Sequence, residues 1–206
     1  MALAFLAVTP AEVIQAFDGA FSSLSDYRCT VYSKELGPKG YQEGVYEYWF
    51  LKPGWIRVKV IEGPKKGSRA VYNPNTGKVT GRLGGVLGFL SITTDPWDKR
   101  VLSPRGIPIT EGTFGSILAD WKSHLSQGKV WFEGERTVDG VACWVLGAKD
   151  LDPGKNFGSV KKYLYIRKDL KLPYLTVDYD AEDREVIRAY FRNLRVNTGL
   201  KPEDFK

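Results

Sequence analysis

Two neighbouring segments of the 206-residue chain alternate apolar and polar residues, and this pattern constrains the fold more than any other feature. They lie between Gly40 and Gly63 and are joined by a tight Lys-Pro-Gly turn at residues 52–54. Successive side chains of a strand point to opposite faces, so the pattern predicts two adjacent strands with one apolar face. The residues expected on that face are Tyr46, Tyr48, Phe50, Ile56, Val58 and Val60. Either the chain's own helices, or helices together with an apolar ligand, must cover it.

Two further segments have the apolar spacing of amphipathic helices. The residues TPAE at positions 9–12 form a capping box with proline at the first helical position, which predicts a helix from about Pro10 to Leu24. Residues 111–127 repeat apolar residues at helical spacing and are followed by Gly128, a stop signal. The apolar stripe of this second helix is Phe114, Ile117, Leu118, Trp121 and Leu125.

Short alternating segments joined by hairpin turns make up most of the remaining chain. Beyond the first pair, the expected strands are 27–36, 68–73, 78–82, 129–137, 141–149, 160–167, 174–179 and 185–196. About ten strands exceed what a flat open sheet tolerates, so the sheet should curl. We therefore expect an α+β, mainly β fold: a strongly curved antiparallel sheet, or unclosed half-barrel, with about two helices covering its concave face. The length of the chain predicts one domain spanning residues 1–206.

The segment 83–92, with the sequence LGGVLGFLSI, departs from this rhythm because it is apolar without clear alternation and holds three glycines. It favours neither a strand nor a helix. Two interpretations stay open: a mobile apolar flap, or a buried loop or short helix that completes the core. In the first interpretation it contributes Leu83, Val86, Leu87, Phe89 and Leu90 to an apolar cavity.

Composition limits the remaining possibilities. The formal net charge is +6, with the basic residues dispersed along the strands, which suits a solvated strand face or attraction to an anionic membrane surface. Cys29 and Cys143 lie in separate strands, so a disulfide and two buried thiols both stay open. Residues 1–9 are either the remnant of an export signal or a lead-in to the first helix, and no apolar run reaches the ~20 residues of a membrane span. We expect a soluble protein.

The residue types and motifs of the chain argue against catalysis. His124, the single histidine of the chain, falls off the apolar stripe of the second helix and is interpreted as a surface residue. The carboxylates Asp178 and Asp180 flank a polar hairpin turn, where solvation explains them. No nucleophile elbow, phosphate loop or metal motif is present in the sequence. Aromatic and basic residues fall on opposite strand faces, which argues against nucleic-acid binding. We therefore expect no enzyme activity, no cofactor and no metal.

Several short motifs, in their order and spacing, resemble the bacterial LolA superfamily of periplasmic lipoprotein carriers and its relatives of uncharacterised function. They cover nearly the whole chain. The motifs are S-D-Y at residues 25–27, the strand and turn 45–53 with Trp49, W-I-R at 55–57, Y-N-P at 72–74, the apolar segment 83–92, the connection 105–110, and the closing segment 196–205.

The resemblance implies an unclosed barrel whose helices form a lid over an apolar cavity for lipoprotein acyl chains or lipids. In the carriers, a basic residue immediately before the proline of the second motif holds the lid closed, and Lys52 stands at that position. The expected cavity residues are those of the two-strand face and the segment 83–92, together with Phe114, Leu118 and Trp121. The expected protein is an exported, periplasmic or otherwise extracytoplasmic monomer that makes transient contact with membrane-bound donor and acceptor proteins. The alternative is a noncatalytic regulatory, sensor or envelope scaffold module with a filled core.

Overall fold

The computed structural model describes residues 8–85 and 90–206, which form two α-helices and eleven β-strands. The helices are α1 (Pro10–Ser22) and α2 (Phe114–Ser126). The strands are β1 (Asp26–Gly37), β2 (Gly40–Leu51), β3 (Trp55–Glu62), β4 (Arg69–Asn73), β5 (Lys78–Arg82), β6 (Ser91–Thr94), β7 (Val130–Val138), β8 (Val141–Ala148), β9 (Lys161–Arg167), β10 (Leu172–Tyr179) and β11 (Glu185–Val196). Within the described residues, no helix is long and apolar enough to cross a bilayer.

All eleven strands belong to one antiparallel sheet in the order β6-β5-β4-β3-β2-β1-β11-β10-β9-β8-β7. Strands β1 to β6 form one meander and β7 to β11 form another, and the pairing of β1 with β11 joins the two. Strands β6 and β7 are the two edges, so the curved sheet does not close into a barrel. The prediction of a mainly β, α+β half-barrel with two helices is confirmed.

The strand pairing places the predicted apolar residues on one face. Tyr46 pairs with Val60, Tyr48 with Val58, and Phe50 with Ile56, so all six side chains point the same way. Both helices pack on this concave face. The capping box is formed as predicted, since the side chain of Thr9 accepts a hydrogen bond from the backbone N–H of Glu12.

Tyr27 of β1 lies at the centre of the packed core. Its ring stacks on Phe114 at 4.2 Å and on Phe50 at 5.0 Å between ring centroids. Its hydroxyl accepts a hydrogen bond from the backbone N–H of Phe114 at 3.0 Å, which fixes the start of α2 against the sheet. Helix α1 adds its buried residues Val13, Ile14 and Phe17 to the same core.

The C-terminal segment packs beside the start of β1 and is held there by Asp26. Asp26 is buried, with 1% of its surface exposed, and its carboxylate accepts hydrogen bonds from the backbone N–H and hydroxyl of Thr198 and from the N–H of Gly199. Burial alone would raise the pKa of Asp26, but these bonds and one from Ser25 outweigh it and hold that pKa below its usual value. Phe205, in the short 3₁₀ helix Pro202–Phe205, is buried against the sheet.

The two cysteines are free and buried on opposite faces of the sheet. Cys29 belongs to the core under the helices, whereas Cys143 packs with Tyr174, Leu175 and Val177 in a second cluster. Burial raises the pKa of Cys29 to about 12 and that of Cys143 to about 11. Because the thiolate is the reactive form, both behave as small apolar residues.

Candidate ligand-binding cavity

A cavity of about 1060 Å³, partly open to solvent, lies against the concave face of the sheet. Its lining residues share one end of the strands. Most come from the C-terminal parts of β1, β3, β5 and β10 and from the N-terminal parts of β2, β4, β6, β9 and β11, and the lining extends past the middle of β2 at Tyr46 and Tyr48 and of β11 at Phe191. Because neighbouring strands are antiparallel, these parts all lie at the same end of the sheet, which we call the hollow end. The core around Tyr27 occupies the other end, which we call the packed end.

Most of the cavity wall is apolar. Strands β1 to β3 contribute a contiguous patch on the sheet floor, and the segment before α2, together with α2 itself, contributes the opposite wall. These apolar lining residues include Val31, Tyr46, Tyr48, Val58, Val60, Ile92, Ile107, Pro108, Ile109, Ile117 and Trp121.

The structure divides the sequence-predicted cavity residues into three groups. Those that line the cavity are Tyr46, Tyr48, Val58, Val60, Leu83, Leu90 and Trp121. Those that lie in the packed core beside it are Phe50, Ile56, Phe114 and Leu118. Val86, Leu87 and Phe89 lie outside the described residues. Alternation along a strand predicts the face of the sheet correctly, but position along the strand decides between core and cavity, and Tyr27 with the helices fills the packed end.

Sequence reasoning missed the connection that forms a further wall, residues 95–108. Arg105 anchors it: Nη1 donates to the carbonyl oxygen of Leu36 at 2.8 Å, and Nε donates to that of Phe157 at 3.1 Å. Nη2 also contacts the Phe157 carbonyl. A planar guanidinium supplies several donors at fixed angles, so one side chain joins three segments. The Pro-Arg-Gly turn at residues 104–106 is the sequence signal for this role.

One wall of the cavity is charged. Lys162 Nζ of β9 lies 3.0 Å from Asp120 Oδ2 of α2 and 4.0 Å from Asp178 Oδ2 of β10. Ser159 donates a hydrogen bond to Asp178. Burial raises the pKa of Asp178, while the pKa of Asp120 is lowered because contacts with His124 and Lys162 outweigh the effect of burial.

Two sequence interpretations are corrected here. Asp178 is buried rather than solvated, because it pairs with Lys162 on the inner face instead of standing in the turn. His124 is buried rather than exposed, with 5% of its surface accessible, and its Nε2 lies 3.1 Å from Asp120 Oδ1 one turn earlier. Among the described residues, no group of three or more His, Cys, Asp or Glu is arranged to hold a metal ion.

Tyr48 lines the cavity, but its hydroxyl is buried in the protein. The side chain is 6% exposed, and its oxygen, which neighbours the hydroxyl of Tyr27, makes no hydrogen bond of normal geometry within residues 8–85 and 90–206. Burial raises the pKa of this phenol far above its usual value, so it stays protonated as a donor. An unpaired buried hydroxyl costs folding stability.

Lys52, at the end of β2, contacts the C-terminus of α1. Its Nζ donates hydrogen bonds to the carbonyl oxygens of Phe21 at 2.8 Å and Ser22 at 3.0 Å, and it lies 4.8 Å from the centroid of the Phe21 ring. Helix C-termini carry partial negative charge on unpaired carbonyl groups. Lys52 therefore ties the first helix to the turn between β2 and β3.

Comparison with solved structures identifies the fold. An uncharacterized conserved protein from Thermus thermophilus superposes with a TM-score of 0.61 at 14% identity, covering 95% of this chain and 91% of that one. MucB superposes with a TM-score of 0.57 at 13% identity; the match covers 96% of this chain but 62% of MucB. A domain of a suspected outer membrane lipoprotein-sorting protein from Vibrio parahaemolyticus gives 0.50 at 13% identity, with 95% of each chain covered.

No protein-family model matches the sequence, and neither does any curated protein. The structural matches therefore speak for the fold alone. They confirm the LolA-like fold that the sequence motifs predicted.

Proposed function

We propose that this protein binds the acyl chains of a lipoprotein or a lipid in the cavity at the hollow end, as a noncatalytic extracytoplasmic carrier. The cavity itself carries the proposal: it holds about 1060 Å³ and is walled mostly by apolar side chains. Typical small-molecule sites occupy about 300–1,000 Å³, so this one lies at the upper end of the range. A filled core, as the scaffold alternative requires, would leave no such space.

Burial of hydrocarbon supplies the driving force. Each methylene transferred from water to an apolar site contributes about 0.8 kcal/mol, so a chain of about twelve methylenes gains roughly 10 kcal/mol before the costs of binding. Polar groups at the charged wall, Lys162 and Asp178, would face the polar part of such a guest. The site needs neither metal nor cofactor for this task.

The helices would act as the lid, with Lys52 as the latch. Its bonds to the end of α1 hold that helix to the sheet in the ligand-free form. A guest that displaces α1 must break those bonds, so the latch opposes loading and favours release. We propose further that the chain acts as a monomer and as one domain, delivering its guest through transient contact with membrane-bound partners.

Native mass spectrometry of freshly purified protein tests the proposal directly. Copurified lipid or lipopeptide supports it. Displacement of a fluorescent fatty acid then measures affinity in Ala70→Trp, which fills the cavity from β4, and in Ala142→Trp, an exposed position on β8 outside it. Excluding two or more methylenes should weaken binding roughly ten-fold in the first variant, with no change in the second. Equal affinities in both variants would contradict the cavity as the site.

A regulatory module that binds another protein is the second candidate. The fold is shared with MucB, and MucB has been solved in complex with MucA(peri). Under this alternative, native mass spectrometry should find no lipid, and Ala70→Trp should leave partner binding unchanged. The empty volume at the hollow end favours the carrier.

A further inference from the structure

Three basic residues stand side by side on the outer face of the sheet, next to the cavity. Lys59 of β3 pairs with Arg69 of β4, and Arg69 pairs with Arg82 of β5. Like charges on directly opposed strand positions destabilise a sheet. Within the described residues none of the three makes an ion pair within 4 Å, although Glu47 is the strand neighbour of Lys59. The row therefore concentrates positive charge that no ion pair among the described residues neutralises.

The row continues into the rim of the cavity. The turn between β3 and β4 carries exposed Lys65 and Lys66, and it packs against the exit of β5, where the Gly84 N–H donates to Ser68 Oγ at 3.1 Å. Lys65, Arg69 and Arg82 also belong to the cavity lining. We name the five residues Lys59, Lys65, Lys66, Arg69 and Arg82 the basic rim.

Exposed apolar side chains accompany the basic rim. Leu83 follows Arg82 directly and is 45% exposed; Leu90 precedes β6 and is 47% exposed. Both line the cavity. The exposed lining residues around β4 to β6 thus mark an opening where basic and apolar groups stand together. Glu62, at the end of β3, and Glu47, which pairs with Lys59, are acidic neighbours of the basic rim, whose five cations outnumber these two.

We propose that the basic rim docks the cavity opening on an anionic lipid surface. Lys and Arg beside an anionic bilayer gain electrostatic attraction, and adjacent leucines enter the boundary between headgroups and acyl chains. An acidic protein face would match the charges but not the two exposed leucines. Docking in this orientation lets a hydrocarbon chain pass between bilayer and cavity without crossing water. The inference goes beyond cargo binding, because it concerns the empty protein and a membrane.

Vesicle flotation of the ligand-free protein tests it. We expect binding to vesicles of phosphatidylcholine with phosphatidylglycerol and none to phosphatidylcholine alone. Binding should fall as salt rises, because charges near a surface are screened. Lys59→Glu combined with Lys66→Glu, the two rim residues that do not line the cavity, should weaken binding roughly 25-fold or more, since each basic residue near an anionic surface contributes about five-fold. Leu83→Ser with Leu90→Ser should reduce it less.

The matched control is Lys149→Glu with Lys171→Glu, which makes the same change of net charge far along the sheet from β4 and β5. It should bind nearly as the native protein does. Equal losses in both double variants would reduce the effect to net charge and overturn the proposal, as would native binding by the rim variant or no binding at low salt.

Folding and cargo binding are monitored separately. Thermal unfolding shows whether each variant folds, and Lys59→Gln with Lys66→Gln replaces the charge reversal if that variant does not. Fatty-acid displacement shows whether the cavity still works. Loss of vesicle binding with native fatty-acid affinity is the expected pattern. If the protein binds vesicles but binds no fatty acid, the carrier function is contradicted and the docking proposal is still supported.

Discussion

The ammonium group of Lys52 caps α1 through the carbonyl oxygen of Phe21, 2.8 Å away, and the same nitrogen lies 4.8 Å from the centroid of the Phe21 ring. A second bond at 3.0 Å reaches Ser22. The contact lies at the packed end, four positions along the chain from Tyr48 of the cavity lining. Helix α1 is therefore held at the end where the core is filled.

Replacing Lys52 by methionine should loosen the latch. Removing two bonds from a charged donor, partly screened by solvent, should lower the free energy of unfolding by about 1 kcal/mol. Stopped-flow exchange of a fluorescent fatty acid should show faster loading and slower release. Lys52→Arg keeps the charge and should stay close to the native protein. Native exchange rates in Lys52→Met would remove the latch from the mechanism.

Tyr48→Phe should not harm the ligand-free fold. The change removes a buried hydroxyl that has no partner among the described residues and keeps the ring. Unfolding in urea should therefore show unchanged stability or a gain of up to about 1 kcal/mol. Under the carrier function, the same variant should bind a fatty acid as the native protein does, because the hydroxyl is buried away from the cavity surface. A clear loss of stability would mean that the hydroxyl serves the fold.

Lys162→Met should destabilise strongly because it leaves Asp178 buried without its cation. We expect a loss of about 3 kcal/mol near neutral pH. Burial already raises the pKa of Asp178. A carboxyl whose folded pKa lies above its unfolded value favours folding at low pH and opposes it as pH rises. The stability deficit of this variant should therefore shrink toward pH 5 in chemical unfolding, and adding Asp178→Asn should restore part of the loss.

Asp26→Asn should show the opposite pH dependence. The bonds from Thr198 and Gly199 hold the pKa of Asp26 below its usual value. Its contribution is thus complete above an unfolded pKa of about 3.9 and is lost as pH falls through the folded value. Chemical unfolding should give a deficit of about 2 kcal/mol for the variant at pH 7. A deficit that stays constant down to pH 2 would contradict this assignment.

Arg105→Ala should release the connection 95–108 from the cavity wall. Loss of its bonds to Leu36 and Phe157 should cost about 2 kcal/mol, and Arg105→Lys should recover little, because an ammonium lacks the planar fork. Hydrogen exchange should increase in residues 100–109 before it increases in the sheet. Unchanged exchange there would show that other contacts hold the wall.

The main architecture was predictable because it depends on local patterns. Alternation assigned Tyr46 and Val60 to one face, and capping and turn residues gave the two helices. The division into packed and hollow ends was not predictable, because Tyr27 reaches Phe114 across 87 residues of chain and no periodicity encodes that contact.

Local rules also failed where a polar group finds a distant partner. Asp178 stands beside a polar turn in sequence, yet Lys162, 16 positions earlier, meets it across two paired strands. The sequence does not predict strand β6, because its four residues follow an apolar glycine-rich run and form a strand only by pairing with β5. In each case the deciding interaction lies between strands rather than within one.

The same strands form the packed end and the hollow end, so mutations that affect stability and mutations that affect the cavity fall at different positions along them. Ile56 and Val60 stand on the same face of β3 four positions apart, yet the first holds the fold and the second borders the open volume. Mutations near one end of each strand can therefore reshape the cavity while the packed core keeps the fold. Under the proposed carrier function, such a protein could therefore acquire a different ligand, in evolution or by engineering, while it keeps the same fold.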